Sequence, residues 1–231
     1  MRVIYACDVG STKVNKKTKA NSFGWARLSE DSHRPTGGKA IDKCLESMKA
    51  DVKAGYRLAL GMECPLFLPI PEYSDGLSSG RENEGDRSCF APAGGYVATL
   101  GLHQFAWLLQ KVKIACPDVG LHFTCNLHDW MPVNPSGKQI LLWEAFVSKQ
   151  AHSKEHERDA ATAVMEFHRR FIADSGFLSD IQGEGAILSL AGVALLWAEW
   201  STELALLRMR PHVIKVVDSE RKYTGEIGPE A

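Results

Sequence analysis

Apolar and polar residues alternate along the chain with two periods, one typical of strands and one typical of helices. Short apolar runs predict strands over residues 2–9, 21–29, 57–69, 121–126, 138–148 and 210–218, with a further short strand within 30–39. Apolar residues three and four positions apart predict helices over residues 40–55, 99–116, 153–176 and 185–203. This order of strands and helices is typical of an α/β fold in which helices cover both faces of one sheet.

The same pattern predicts how the chain is organised into domains. No linker interrupts it, so we expect a single domain over residues 1–218, with a C-terminal helical extension over about 176–218. Residues 219–231 are polar and are predicted to form a tail. Residues 69–97 are rich in proline and glycine, and a loop of this length inside a compact domain is usually functional or mobile.

Composition limits the classes of function. The 231 residues carry a formal net charge of −1, so the chain lacks the overall basic charge of a bulk nucleic-acid binder. The six cysteines form no C-x-x-C pair, which favours reduced thiols in a cytoplasmic protein. The N-terminus lacks the pattern of a signal peptide, and the apolar stretch 186–198 is shorter than the ~20 residues that span a bilayer. We therefore expect no membrane association, and the segment 186–200 either packs in the core or forms a homodimer interface.

Four carboxylates fall at positions where strands and a helix should bury them. They are Asp8, Glu63, Glu144 and Asp159. Several converging acids repel one another unless a cation lies between them, and sites built of carboxylates alone suit Mg²⁺ or Mn²⁺. Two such ions clamp the attacking and leaving oxygens of a phosphodiester displacement. The alternative for Glu63 and Glu144 is that each ends a strand and faces water.

Histidines accompany the last of these acids. His152, His156 and Asp159 are spaced i, i+4 and i+7, which places them on one face of a helix. A histidine beside a metal site can transfer protons or bind phosphate. The alternative is an exposed polar helix start.

Basic residues cluster in the connection between the first two predicted strands and in the long loop. Lys13, Lys16, Lys17 and Lys19 lie in the first, and Arg81 and Arg87 lie in the second. Such groups contact phosphates in nucleic-acid complexes. The alternative for the lysines is a solvated loop.

The motifs around the acids resemble those of the RNase H-like superfamily, and are most similar to a family of unknown function whose members are predicted RNase H-like nucleases. The matching segments are Asp8-Val9-Gly10, Glu63-Cys64-Pro65-Leu66, Glu144-Ala145-Phe146 and His156-Glu157-Arg158-Asp159-Ala160, in that order over residues 1–175. The last motif also resembles the end of the active site of Holliday-junction resolvases. Residues 176–231 match no motif.

This resemblance implies a fold and a set of roles. The fold is an RNase H-like mixed sheet flanked by helices on both faces, and the activity is metal-dependent nucleic-acid hydrolysis. Asp8, Glu63 and Asp159 are the implied metal ligands, with Glu144 as an auxiliary acid. The sequence departs from the family at GRENEGDRSCFAP, where relatives often carry an arginine-rich segment with an aspartate, so no role transfers to Arg81 or Arg87.

Two other classes of function remain open from the sequence. The stretch Asp-x-Gly-Ser-Thr at residues 8–12 also resembles the first phosphate-binding hairpin of actin-like ATPases and sugar kinases, although the chain shows no convincing second hairpin. A non-catalytic nucleic-acid-binding module with the same fold is the third possibility. Most tryptophans lie in apolar segments and are expected in the core, whereas Trp130 is expected to be exposed.

Overall fold

The structure is a computed structural model that describes residues 1–14, 16, 21–85, 88–117, 119–131, 138–174, 176–182 and 185–229. The strands are β1 (Arg2–Asp8), β2 (Gly24–Ser29), β3 (Thr36–Gly38), β4 (Arg57–Met62), β5 (Phe67–Ile70), β6 (Leu121–Thr124), β7 (Lys138–Val147), β8 (Ala186–Ser189) and β9 (His212–Val216). The helices are α1 (Ile41–Lys53), α2 (Pro92–Ala115), α3 (Leu127–Trp130), α4 (His156–Ala173) and α5 (Leu190–Trp197).

Within the described part of the chain, the main sheet has seven strands and is mixed. Its order is β3-β2-β1-β4-β7-β6, and β9 also pairs with β7. β2 is antiparallel to both of its neighbours, whereas β1, β4 and β7 run parallel to one another. The carboxyl ends of these three parallel strands therefore lie side by side along one edge of the sheet.

Helices cover both faces of the sheet, as the sequence predicts. On one face the odd-numbered apolar residues of β1, such as Tyr5 and Cys7, pack against α1, α2 and α5. On the other face Ile4 and Ala6 pack against α4, where Ala160, Ala161 and Ala163 are fully buried. The small alanine side chains let α4 lie close to the sheet, and α4 carries the last of the predicted site residues.

The prediction was wrong about part of the C-terminal segment. Residues 186–189 form a strand that pairs antiparallel with β5, and the helix begins only at Leu190. The predicted strand over 210–218 is confirmed as β9, which joins the main sheet beside β7, so the segment 176–218 is not a purely helical extension. The buried residues of α5 pack in the core against α2, and Trp197 at its end is 57% exposed.

Other boundaries also differ from the prediction. α2 begins at Pro92, inside the segment 69–97 that was expected to be a loop, because proline is well suited to the first turn of a helix.

Trp130 was expected at the surface but is fully buried, where its ring packs edge-on against Phe167. The predicted tail is partly anchored, since the backbone N–H of Gly228 donates to Pro35 O at 2.9 Å. Among the described residues, no helix combines the length and apolar character needed to cross a membrane.

Candidate active site

Asp8 lies at the carboxyl end of β1 and points to the face of the sheet covered by α4. The apolar residues Val3 to Cys7 hold β1 in the core, and Asp8 itself is only 7% exposed. Its Oδ2 atom lies 2.5 Å from Nδ1 of His156, the first residue of α4. A buried carboxylate needs such a partner, because leaving it unpaired in the core is costly.

Gly24 allows this contact to form. Gly24 pairs with Asp8 across β1 and β2, and a Cβ atom at this position would lie 2.2 Å from the backbone carbon of His156. Any other residue would push the first turn of α4 away from the strand end. The absence of a side chain at Gly24 thus positions His156 beside Asp8.

Asp159 lies one turn further along α4 and is completely buried. Its Oδ1 atom accepts a hydrogen bond from the backbone N–H of Ser153 at 2.6 Å, which fixes the chain just before the helix. Its Oδ2 atom has no hydrogen-bond partner among the described residues, and Nε2 of His152 lies 3.4 Å away. A buried carboxylate oxygen without a hydrogen bond is rare and is often explained by an ion or a ligand.

Burial and mutual repulsion change the protonation of this cluster. Burial raises the pKa of Asp8, and the hydrogen bond from His156 partly opposes this effect. Burial also raises the pKa of Asp159 to about 7, and the nearby charge of Asp8 contributes in the same direction. The bond to Asp8 raises the pKa of His156. The two carboxylates therefore sit in surroundings that favour a neighbouring positive charge.

Glu63 follows β4 at the same edge of the sheet. Its backbone N–H donates to Cys7 O at 2.8 Å, which places it beside Asp8 in the neighbouring strand. Glu63 is the first residue after the end of β4 and is half-buried. The structure thus brings three of the predicted acids, Asp8, Glu63 and Asp159, to one end of the sheet.

Glu144 lies on the face of the main sheet opposite to that of Asp8. It pairs in register with Met62 on the α2 side, and it is fully buried. Its carboxylate accepts hydrogen bonds of 2.6 Å from both terminal nitrogens of Arg81 and one of 2.9 Å from the backbone N–H of Leu66. The structure therefore does not place Glu144 with the other three acids.

The predicted phosphate-contacting residues are distributed unevenly. Lys13 and Lys16 are exposed beyond the end of β1. Arg81 is only 5% exposed and is held by Glu84 and Glu144, so a phosphate contact would require this ion network to open. Lys17, Lys19 and Arg87 lie outside the described residues.

The donor chemistry of the site suits a divalent cation, although the ligands are not gathered into a complete group. Within the part of the chain that the structure describes, no group of three or more His, Cys, Asp or Glu side chains is placed to hold a metal ion. Asp8 and Asp159 nevertheless offer carboxylate oxygens at one end of the sheet, and Oδ2 of Asp159 accepts no hydrogen bond from the residues that are described. Carboxylate oxygens are the ligands that Mg²⁺ and Mn²⁺ prefer, so these residues fit such an ion.

Comparison with known proteins identifies no family for this chain. No protein-family model, curated protein or solved structure matches it.

Two residues that contribute to the site were not predicted from the sequence. Gly24 lies in a predicted strand, and nothing else in the sequence indicates its contact with α4. Ser153 lies at the start of a predicted helix, and that position alone does not indicate its hydrogen bond to Asp159.

Proposed function

We propose that this protein is a metal-dependent nuclease that hydrolyses phosphodiester bonds and belongs to the RNase H-like superfamily. The observation that carries the proposal is the convergence of Asp8 and Asp159 beside His156, with the Oδ2 atom of Asp159 buried and without a hydrogen bond to any residue that the structure describes. The mixed sheet with helices on both faces is the architecture that the sequence motifs imply. The sequence motifs that imply this architecture also contain Asp8, His156 and Asp159.

We assign the roles on the basis of where these residues lie in the fold. Asp8, Asp159 and Glu63 would hold Mg²⁺ or Mn²⁺ at the carboxyl edge of β1 and β4. When bound, the ion supplies positive charge beside the scissile phosphate and activates water for attack. His156 is oriented by Asp8 through Nδ1, so Nε2 is the ring nitrogen that proton transfer would use. Lys13 and Lys16 are exposed near the end of β1 and would contact the nucleic-acid backbone.

The ATPase alternative is less well supported by the loop after β1. A phosphate-binding hairpin uses its backbone N–H groups as donors to the ligand. Here the N–H of Ser11 donates to Oγ of Ser22 at 2.8 Å, and Ser22 N–H donates back to Ser11 O at 3.0 Å. This reciprocal pair uses a donor that a phosphate would need.

Two further parts of the hypothesis concern location and assembly. All six cysteines are free and buried, and we propose a reducing cytoplasmic location on that basis. A homodimer stays a prediction, and the exposed ring of Trp197 is the feature of α5 that would take part in it.

The test is cleavage of a labelled panel of single-stranded, duplex, RNA–DNA hybrid and four-way-junction substrates in Mn²⁺ or Mg²⁺. We expect wild type to cut at least one substrate, EDTA to stop cutting, and Asp8→Asn and Asp159→Asn each to abolish it. Asp129→Asn is the matched control, because Asp129 is exposed on α3, which lies beside the amino ends of β1 and β4, opposite to the candidate site. Calorimetric titration with Mn²⁺ should show binding by wild type and by Asp129→Asn, and weaker binding by the two site variants.

Two results would contradict the proposal. One is a folded wild-type protein that cuts no member of the panel in either metal. The other is cutting that survives EDTA and Asp8→Asn, which would indicate a contaminating nuclease or a different site. Circular dichroism on every variant separates loss of activity from loss of fold.

A further inference from the structure

A cavity of about 430 Å³ lies beside Glu63 at the same edge of the sheet as the candidate active site. It is lined by the carboxyl ends of β4 and β7, by the first two turns of α2 and by Glu84, Ser88, Cys89 and Ala91, which precede that helix. Its volume falls within the range of small-molecule sites and is too small for a duplex. Glu63 follows β4 beside the end of β1 and also lines the cavity, so the cavity adjoins the end of the sheet that carries the candidate site.

The walls indicate what kind of group the cavity accepts. Pro65, Val97, Phe146 and Val147 provide apolar surface, and small residues such as Ala93 leave the space open. The charged residues that line it among those described are the acids Glu63 and Glu84, with no lysine or arginine. Glu84 is paired with Arg81, so the lining that a ligand would meet is mainly apolar, which suits a neutral planar ring better than a hydrated phosphate.

A buried ion network holds one wall of the cavity in place. Glu84 lines the cavity, and its Oε1 atom accepts hydrogen bonds of 3.0 and 2.7 Å from the guanidinium of Arg81. The same guanidinium is bound to Glu144 on β7 and lies 4.8 Å from the centroid of the Phe67 ring. These ion pairs hold Arg81 and Glu84 against β7. This wall of the cavity is therefore in place without a ligand.

We propose, on the basis of the nuclease function above, that this cavity receives an unpaired nucleobase adjacent to the scissile phosphate. A base inside a duplex is stacked and paired, and taking it out of the stack costs free energy that an unpaired base does not. The substrate class is therefore a strand with at least one unpaired nucleotide at the cut site, as in a single strand, a bulge or a branch.

The test compares two duplexes that differ at one position. Both carry a single unpaired nucleotide, which is adenosine in one and an abasic residue in the other. Val97→Trp fills the cavity from a partly exposed position of α2 at the margin of the core. Thr99→Trp is the matched control, because it places the same ring at an exposed position of the same helix that does not line the cavity.

Wild type and Thr99→Trp should cut the adenosine bulge about tenfold or more faster than the abasic one, which is the usual scale of a base contact. Val97→Trp should cut both at the slower rate while it keeps its fold and its Mn²⁺ binding. A binding readout without catalysis uses 2-aminopurine at the unpaired position in EDTA. Its fluorescence should change when wild type or Thr99→Trp binds, and should not change with Val97→Trp.

These readouts distinguish failure of this proposal from failure of the nuclease proposal. Wild type that cuts both bulges equally, with no change in 2-aminopurine emission, overturns the base-binding cavity and leaves the nuclease standing. Wild type that cuts nothing in Mn²⁺ but changes the emission in a manner lost in Val97→Trp overturns catalysis and supports the cavity as a base-binding site. Absence of both signals overturns both proposals.

Discussion

His156 Nδ1 and Asp8 Oδ2 lie 2.5 Å apart although 148 positions separate the two residues in the chain. The contact joins the end of the first strand to the first residue of α4, so that residues of these two elements meet in the candidate site. It also orients the imidazole ring, because a histidine bound through one nitrogen presents the other in a fixed direction. The site therefore combines carboxylates with an oriented group that can transfer a proton.

Replacing His156 should separate catalysis from metal binding. In His156→Ala the carboxylates of Asp8 and Asp159 remain, so Mn²⁺ affinity measured by calorimetry should stay close to that of wild type. Cleavage of the best substrate should fall by about 10²–10⁴-fold, the usual contribution of a general acid or base. The measurement is single-turnover cleavage with saturating enzyme.

The control for this experiment is His103→Ala, since His103 is an exposed histidine on α2 and lies apart from Asp8. It should cut at the wild-type rate. Wild-type cleavage by His156→Ala would remove proton transfer from the proposed mechanism, whereas loss of Mn²⁺ binding would make His156 part of the metal site.

Gly24 should be essential for the position of α4. In Gly24→Ala the new methyl group would meet the backbone of His156 and Glu157, and a backbone cannot give way as a flexible side chain does. We expect a loss of about 1–3 kcal/mol in the free energy of unfolding, as for other overpacked sites. Cleavage should also fall, because His156 moves away from Asp8. Urea unfolding and the cleavage assay measure the two effects.

Gly95→Ala provides the comparison for Gly24→Ala. Gly95 lies inside α2, and a Cβ atom there would meet nothing within 4 Å. Alanine should stabilise this helix by roughly 0.5–1 kcal/mol, because glycine loses more backbone freedom on folding. A Gly24→Ala protein as stable and active as wild type would show that α4 tolerates the displacement.

The sequence predicted the periodic parts of this fold and the acids at the ends of strands. Asp8 and Glu63 each follow an apolar run, and residues that end neighbouring parallel strands share one edge of a sheet. The sequence did not predict on which face of the sheet the side chain of Glu144 lies. Its strand is buried on both sides, so an apolar run without alternation carries no information about which way one residue points.

The contacts that complete the site depend on packing between distant segments. The approach of α4 to Gly24 joins segments far apart in the chain, and local periodicity gives no measure of that distance. The strand Ala186–Ser189 shows the same limit. Its residues are as apolar as those of the helix that follows, and only the partner strand Phe67–Ile70 decides its conformation.

The ion pair between Arg81 and Glu144 should be the most sensitive polar contact of the core. Arg81→Met leaves Glu84 and Glu144 buried without their cation, and loss of one partner of a buried pair costs about 3–5 kcal/mol. Arg34→Met is the matched control, because its ion pair with Glu226 is exposed and such pairs contribute about 0–1 kcal/mol. Denaturant unfolding of both variants measures the difference.

A second variant identifies the cause of this loss. Arg81→Met combined with Glu144→Met replaces both charges by apolar groups, and it should recover part of the stability lost in Arg81→Met alone. Equal stability of the single and double variants would indicate that the effect comes from the shape of the arginine and not from unpaired charge.

His212 should make the fold less stable in mild acid. Burial lowers the pKa of His212 to about 4, so the folded protein keeps this ring neutral where an unfolded chain, with an ordinary histidine pKa of 6.5, takes up a proton. Between pH 6.5 and pH 4 the unfolded state therefore binds more protons, and stability falls as the pH falls; above pH 6.5 the ring is neutral in both states and has no effect.

His212→Phe keeps a ring against Phe177, whose centroid lies 4.9 Å away, and removes the titration. The melting temperature of His212→Phe minus that of wild type should increase from pH 7.5 to pH 5, and comparison of the two proteins at each pH cancels the titration of other groups. A difference that stays constant over this range would show that His212 accepts its proton in the folded protein as readily as in the unfolded chain.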